Sequence, residues 1–432
     1  MSTVPQKPMI GSRTFKKPFL GTINEEDYDA DFTSCRLNDL PRDFAWGVAT
    51  ASYQIEGGAN EDGRGPSIWD DFCKIPGNIA NGDTGDVADD FYHKYKEDIA
   101  MMKSLGIKNF RMSLSWSRIL PNGTTDGGIN GKGVAFYNYV INELIAAGIT
   151  PWVTLHHWDT PSAVHNKTST GSFLSKDIID KFNNYADFVF AAYGDRVKHW
   201  LTLNEPWTYS VNGYLSGEMA PGRCSDLVPS CVTNGGGGDL ATEPYIVSHN
   251  MILSHAKAVQ TYRQKYQAKQ GGVISLTTNT DFAVPYNISS PLDVSASSRQ
   301  LAFAFGWYFD PIVFGKYPDE MTQLITDGRL PTFTPEESAM VKGSFDFIGL
   351  NHYTTSYIKD KTGSWGGDWF ADSRTDGTKI GIDGKPIGPM AQSDWLYVYP
   401  PGMRGILKWI DQRYNGSKIY VFENGVSVPG EN

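Results

Sequence analysis

Trp200-Leu201-Thr202-Leu203-Asn204-Glu205-Pro206 and Ile419-Tyr420-Val421-Phe422-Glu423-Asn424-Gly425 decide how this chain folds. Each is a short apolar run that closes on a glutamate. Runs of that length read as buried strands. A carboxylate at the strand end lies where a parallel barrel assembles its chemistry. Five further runs share the form, at residues 44–50, 110–116, 150–156, 273–278 and 345–350. Between most of them lie helix-like stretches. Residues 92–105 carry Tyr95, Ile99, Met102 and Leu105 at helical spacing, and residues 134–147 carry Phe136, Val140, Leu144 and Ile145. Residues 178–193 and 245–266 repeat the pattern, and Gly106 and Gly148 stand where helix C-terminal caps belong. Alternating strands and helices predict parallel β-α units with right-handed crossovers. The expected fold class is α/β, a (β/α)8 barrel of which seven strands are visible. Residues 1–40 read as a polar lead-in and residues 41–432 as a single barrel domain.

Every run ends in polar residues. The first leads into Ser52-Tyr53-Gln54-Ile55-Glu56-Gly57, and the second contains Arg111 and ends Ser115-Trp116-Ser117-Arg118. The third ends His156-His157-Trp158-Asp159, the fourth Asn204-Glu205, the fifth Asn279-Thr280-Asp281 and the sixth Asn351-His352-Tyr353. The seventh ends Glu423-Asn424. In a closed parallel barrel these ends share one face. Polar groups gathered there must be satisfied or used, so packing alone explains them poorly. Two glutamates facing each other at ~5–5.5 Å would make a retaining glycosidase: one attacks the anomeric carbon and the other protonates the leaving oxygen. The attacking carboxylate must be ionised, which a guanidinium such as Arg111 would ensure. The acid must keep its proton and should be the less solvated of the two; Pro206-Trp207 beside Glu205 fits that role.

Composition narrows the ligand. Net charge is −10, which argues against nucleic acid and anionic membranes as partners. No run approaches the ~18 apolar residues of a membrane span. Aromatic residues make up 13%, mild support for a carbohydrate ligand beyond what packing requires. No Cys-x-x-Cys or His-Glu-x-x-His pattern occurs, so no metal site is expected, and no cofactor is implied. Gly235-Gly236-Gly237-Gly238 has no Gly-Lys-Ser/Thr after it and reads as a surface loop, as does the Gly/Asp-rich segment 363–389 that holds Trp365 and Trp369. Cys35 and Cys73 are far apart, whereas Cys224 and Cys231 are close enough to bridge if their loop folds back. Asn122, Asn166, Asn287 and Asn415 fit the glycosylation acceptor pattern at a frequency near chance. Met1 to Lys17 lacks an apolar signal core, which favours the cytoplasm, while the Cys224/Cys231 pair weakly favours an oxidising compartment. Oligomeric state is not readable.

The chain resembles glycoside hydrolase family 1, the β-glucosidase family, from about Phe44 to Gly425. The likeness rests on Thr202-Leu203-Asn204-Glu205-Pro206, Glu423-Asn424-Gly425, the stretch from Phe44 to Gly57, Gly306-Trp307-Tyr308-Phe309-Asp310-Pro311 and Tyr317-Pro318. It implies Glu205 as acid/base and Glu423 as nucleophile. It further implies that Gln54, His157 and Asn204 bind the glycone, Asn204 at the 2-hydroxyl. Arg111 and Tyr353 would contact the nucleophile, and Asn279 would lie near the site. Ala220-Pro221-Gly222-Arg223-Cys224 with Cys231 resembles plant-type members whose loop is disulfide-bridged. Trp116, Trp207 and Trp307 are expected to pack rather than touch sugar, Trp158 being the exception, and His156 and His352 to face the core. The substrate implied is a small β-glucoside or oligosaccharide.

Nine residues follow Glu423, whereas the family carries an eighth strand, sugar-gripping tryptophans and a last helix beyond this point. The expectation is therefore a C-terminally incomplete barrel of low stability and activity, with unpaired first and seventh strands. Thioglucosidases of the family carry Gln in place of the acid, so Glu205 argues for an O-glycosidase. The alternatives are a sugar-binding relative without turnover, and an unrelated barrel isomerase or aldolase. The latter would need a metal cluster or a Schiff-base lysine, and neither is seen.

Overall fold

A computed structural model describes residues 40–41, 44–165, 171–225, 231, 237–361, 363 and 367–428. The expectations for the lead-in before residue 40, Cys35, Asn166, Gly235, Gly236 and Trp365 lie outside these residues.

Seven strands form one sheet in the order β1 (Gly47–Ala49), β2 (Asn109–Ser113), β3 (Thr150–His156), β4 (His199–Asn204), β5 (Val273–Asn279), β7 (Ile348–Asn351) and β10 (Ile419–Glu423). Every neighbouring pair is parallel, and the sheet curls into a nearly closed barrel. Buried on both faces, the inner strands are almost continuously apolar or β-branched; in β3 every residue after Thr150 is buried. β1 and β10 end the sheet. All three residues of β1 are exposed, as are Trp46 before it and Val421 in β10.

The helices lie outside. Asp177–Tyr193 buries Ile178, Phe182, Tyr185, Ala186, Val189, Phe190 and Tyr193, a stripe at helical spacing. Glu243–Tyr262 packs beside it and is buried nearly throughout. Truncating a side chain such as Phe182 to alanine would cost about 3–5 kcal/mol. The helices Phe91–Ser104 and Gly131–Ala146 are followed by Gly106 and Gly148 at φ +77° and +74°, the left-handed turn expected of those glycines. Inside the barrel floor, Trp152, Leu201 and Phe347 form a separate cluster with Val273, Tyr420 and Phe422. Polar strand ends sit above that floor.

Three strands were not expected. β6 (Phe282–Pro285), β8 (Thr355–Asp360) and β9 (Thr375–Thr378) form a small mixed sheet beside the barrel mouth. Part of the 363–389 segment is thus ordered structure rather than plain loop. Its Trp369 is buried and packs edge-on against Trp207. Trp116, placed in a strand by its apolar neighbours, instead opens the short helix Trp116–Ile119.

Candidate active site

Both glutamate-bearing strands break register just before their carboxylate. On β4, Leu201 pairs with Ser275, but Asn204 pairs with Thr277. On β10, Val421 pairs with Leu350, but Glu423 pairs with Asn351. A bulge turns a residue that strict alternation would send to the wrong face. Tyr420 and Phe422 fill the barrel interior, so Glu423 would point outward in a regular strand. The shift brings it to the mouth instead. Glu205 itself leaves β4 at φ +41°, ψ 62°, a left-handed conformation that is costly for a glutamate. Its N–H donates to the Thr277 carbonyl at 2.9 Å, and Pro206 opens the following helix, Pro206–Tyr214.

The two carboxylates stand in unlike surroundings. Glu423 is paired with the Arg111 guanidinium and accepts a hydrogen bond from the Tyr353 hydroxyl at 3.0 Å. Arg111 also donates through Nη2 to Asn204 Oδ1 at 2.6 Å and through Nε to Thr154 Oγ1 at 3.1 Å, and it lies over the Phe422 ring. Glu205 has no cationic partner in hydrogen-bond reach. It accepts from Asn351 Nδ2 at 2.7 Å and from Thr208 Oγ1 at 2.8 Å. Burial, then the negative charge of Glu423, push its carboxyl up to about 7, opposed by those two hydrogen bonds and by Arg111. Asn351 Nδ2 also reaches Asn204 Oδ1 at 3.1 Å. One amide oxygen therefore joins the two corners, running Glu423, Arg111, Asn204, Asn351, Glu205. Thr277 Oγ1 fixes Asn351 from behind, donating to its Oδ1 at 3.0 Å.

His157 is buried, and Asn204 Nδ2 donates to its Nε2 at 3.0 Å. That bond assigns the ring proton to Nδ1, which has no protein partner. Burial and the nearby Arg111 charge hold His157 well below the usual imidazole range, so the ring is neutral. Gln54 is exposed and lines a cavity of about 280 Å³ together with His157, Trp158 and Tyr53. Asn279 lies on the other side. It is the register partner of Asn351 and lines a larger cavity of about 630 Å³ with Trp207, Phe282, Gln300 and Phe370. Asn279 Oδ1 and Trp207 Nε1 are both buried without a protein partner.

Sequence reasoning missed Asn351 and Thr208, the two side chains that hold Glu205. Asn351 was visible as a strand-end residue, but nothing in a single sequence says which carboxylate it serves. Trp158, at φ +71°, donates from Nε1 to the Asn204 carbonyl, so its ring is tied to the site. His156 and His352 do face the interior, bonded to Thr160 Oγ1 and the Thr280 carbonyl. Trp116 and Trp307 are fully buried. Cys224 and Cys231 form a disulfide with Cα atoms 5.5 Å apart. Among the described residues no three His, Cys, Asp or Glu side chains gather as metal ligands would, and no helix is long and apolar enough to cross a membrane.

A parallel barrel with two unequal carboxylates at its strand ends is the architecture of a glycoside hydrolase. Residues 36–432 match Glycosyl hydrolase family 1, and the chain belongs to that family. It is β-glucosidase-like. Beta-glucosidase 16 of Arabidopsis thaliana is 49% identical over 393 residues, covering 90% of this chain and 75% of that protein. Raucaffricine-O-β-D-glucosidase of Rauvolfia serpentina is 46% identical over 416 residues, covering 92% and 76%. The crystal structure of a rice β-glucosidase superposes with a TM-score of 0.87 at 42% identity, covering 91% of this chain and 81% of that one. A family 1 β-glucosidase from the fungus Humicola insolens, solved in complex with glucose, gives 0.86 at 48% identity, covering 90% and 80%.

Proposed function

We propose that this chain is a retaining β-glucosidase that hydrolyses terminal non-reducing β-D-glucosyl residues, with residues 41–432 as its single catalytic domain. The observation that carries the reading is the asymmetry of the two glutamates. Glu423, paired with the Arg111 guanidinium, attacks the anomeric carbon. Glu205, kept protonated by burial, gives its proton to the departing glycosidic oxygen. Forming the glycosyl ester consumes the negative charge of Glu423. That charge is the second cause of the raised Glu205 carboxyl, so its loss lowers Glu205 when it must turn base and take a proton from water.

Two cavities flank the strand ends that carry the glutamates. Gln54, His157 and Trp158 form the sugar side, with His157 Nδ1–H free to donate to a hydroxyl. Asn204 lies between the carboxylates, where a 2-hydroxyl would sit. The leaving group must lie on the side of the acid, where Trp207 and Asn279 line the larger cavity. Arg111 and Tyr353 position and stabilise the nucleophile. Release of nitrophenol from an aryl β-glucoside tests the reading, with Glu423→Ala as control. Turnover that vanishes in the variant supports it. Glucose binding without turnover would replace it by a sugar-binding role.

A further inference from the structure

Asp159 is 1% exposed and takes no part in the chemistry above. Its Oδ2 accepts a hydrogen bond from Ser52 Oγ at 2.7 Å. Ser52 Oγ in turn accepts from Ser113 Oγ at 3.1 Å, and Ser113 Oγ accepts from the Ser52 backbone N–H at 2.7 Å. All three donor–acceptor directions run toward the carboxylate, so the bonds polarise one another. The chain of bonds links the ends of three separate strands: β1 through Ser52, β2 through Ser113 and β3 through Asp159. The other oxygen, Oδ1, is buried with no partner. A carboxylate half-satisfied in the interior is costly.

What the carboxylate does hold is the distance between two walls. Ser52 opens the short helix Ser52–Ile55, and Gln54 lies two residues on. His157 lies two residues before Asp159. Ser52–Ile55 is only one turn long, and no side chain caps it. The Gln54 N–H donates to the Ala51 carbonyl at 3.1 Å, and its side chain has no hydrogen-bond partner among the described residues. The preceding residue, Tyr53, rests on Trp69 with ring centroids 5.8 Å apart, and its hydroxyl lies 3.4 Å from Cys73 Sγ in the same cavity.

We propose that Asp159 is a positioning residue for the sugar-binding wall: by holding Ser52 it sets Gln54 and Tyr53 at a fixed distance from His157 and Trp158. The inference rests on the reading that this wall binds the glycone. Asp159 touches no reacting atom. Its effect falls on ground-state sugar binding and on the order of the Ser52–Ile55 turn.

The test uses the full chain with Cys35→Ser, so that Cys73 is its only reactive thiol outside the disulfide. Asp159→Ala, Asp159→Asn and Ser52→Ala are compared for KM on an aryl glucoside, for glucose binding by calorimetry, and for the rate at which a maleimide labels Cys73. Leaving the buried Ser52 hydroxyl without its acceptor is worth about tenfold in an equilibrium. Asp159→Ala is therefore expected to raise KM and the glucose dissociation constant about tenfold, and to speed Cys73 labelling comparably. Ser52→Ala should match it, and the double variant should add little to either single one. Asp159→Asn keeps an acceptor for Ser52 and should stay within about threefold of the parent. A lowered Tm with unchanged sugar binding and unchanged labelling would reduce Asp159 to a structural residue and overturn the proposal. So would Asp159→Asn behaving like Asp159→Ala. Labelling reports the lock without any ligand. A parent that neither binds nor turns over glucosides, yet shows the expected labelling pattern, would refute the glycone reading while leaving the tether between the strand ends standing.

Discussion

The corner around Glu423 and the corner around Glu205 use the same side chain type for opposite ends. Glu423 faces a guanidinium and a phenol. Glu205 faces an amide and a hydroxyl, and it is the more buried of the two. A cation beside a carboxylate favours the charged form, while burial with only neutral donors favours the protonated one. The lesson is that the division of labour lies in the neighbours. Asn204 Oδ1, which accepts from both Arg111 and Asn351, keeps the two settings in fixed relation.

The largest effect should come from removing the charged corner. Glu423→Ala is expected to lower kcat by on the order of 10⁴-fold or more, read as aryl glucoside turnover. Glu205→Ala should cost about 10²–10⁴-fold with a poor leaving group and far less with a dinitrophenolate, which departs unprotonated. Similar losses on both substrates would break the assignment of acid to Glu205. Arg111→Met leaves Glu423 half-buried without its counter-charge. It should lower turnover by about 10²-fold and destabilise the fold by about 3–5 kcal/mol, checked by denaturant unfolding.

The smaller effects concern the acid's titration. Glu205 works protonated, so kcat/KM should fall as pH rises through about 7. Asn351→Ala removes a bond that favours the ionised form, so this alkaline limb should move to higher pH. In Glu423→Gln the neighbouring negative charge is gone, and Glu205, followed by infrared or NMR titration, should titrate below its value in the parent. The same shift bears on stability. The folded carboxyl binds its proton more tightly than the unfolded chain, so its contribution is complete below the ordinary glutamate value of 4.5 and is lost as pH climbs through about 7.

The barrel strands were readable because each is buried on two faces and therefore apolar along its length. Their polar ends were readable because β-α alternation sends them all to one mouth. The bulges in β4 and β10 were not, since a period of two gives no sign of one residue gained between Leu201 and Asn204 or between Val421 and Glu423. Asn351 was seen at its strand end, but its link to Glu205 depends on how two strands separated by β5 meet in space. β6, β8 and β9 escaped notice because short strands interrupted by Pro285 or rich in polar residues, such as Thr375–Thr378, carry no apolar signal. The burial of Trp369 was hidden for a related reason: Gly366, Gly367 and Asp368 precede it, and two of its packing partners, Trp207 and Trp307, are distant in sequence.

The central claim is that Glu423 forms the covalent bond and Glu205 handles the proton. The most direct measurement is trapping with an aryl 2-deoxy-2-fluoro-β-glucoside, followed by mass spectrometry of the digested protein. One equivalent of phenol should be released, and the added sugar should lie on the peptide containing Glu423. A sugar found on the Glu205 peptide, or phenol released with no sugar on either glutamate, would contradict the account.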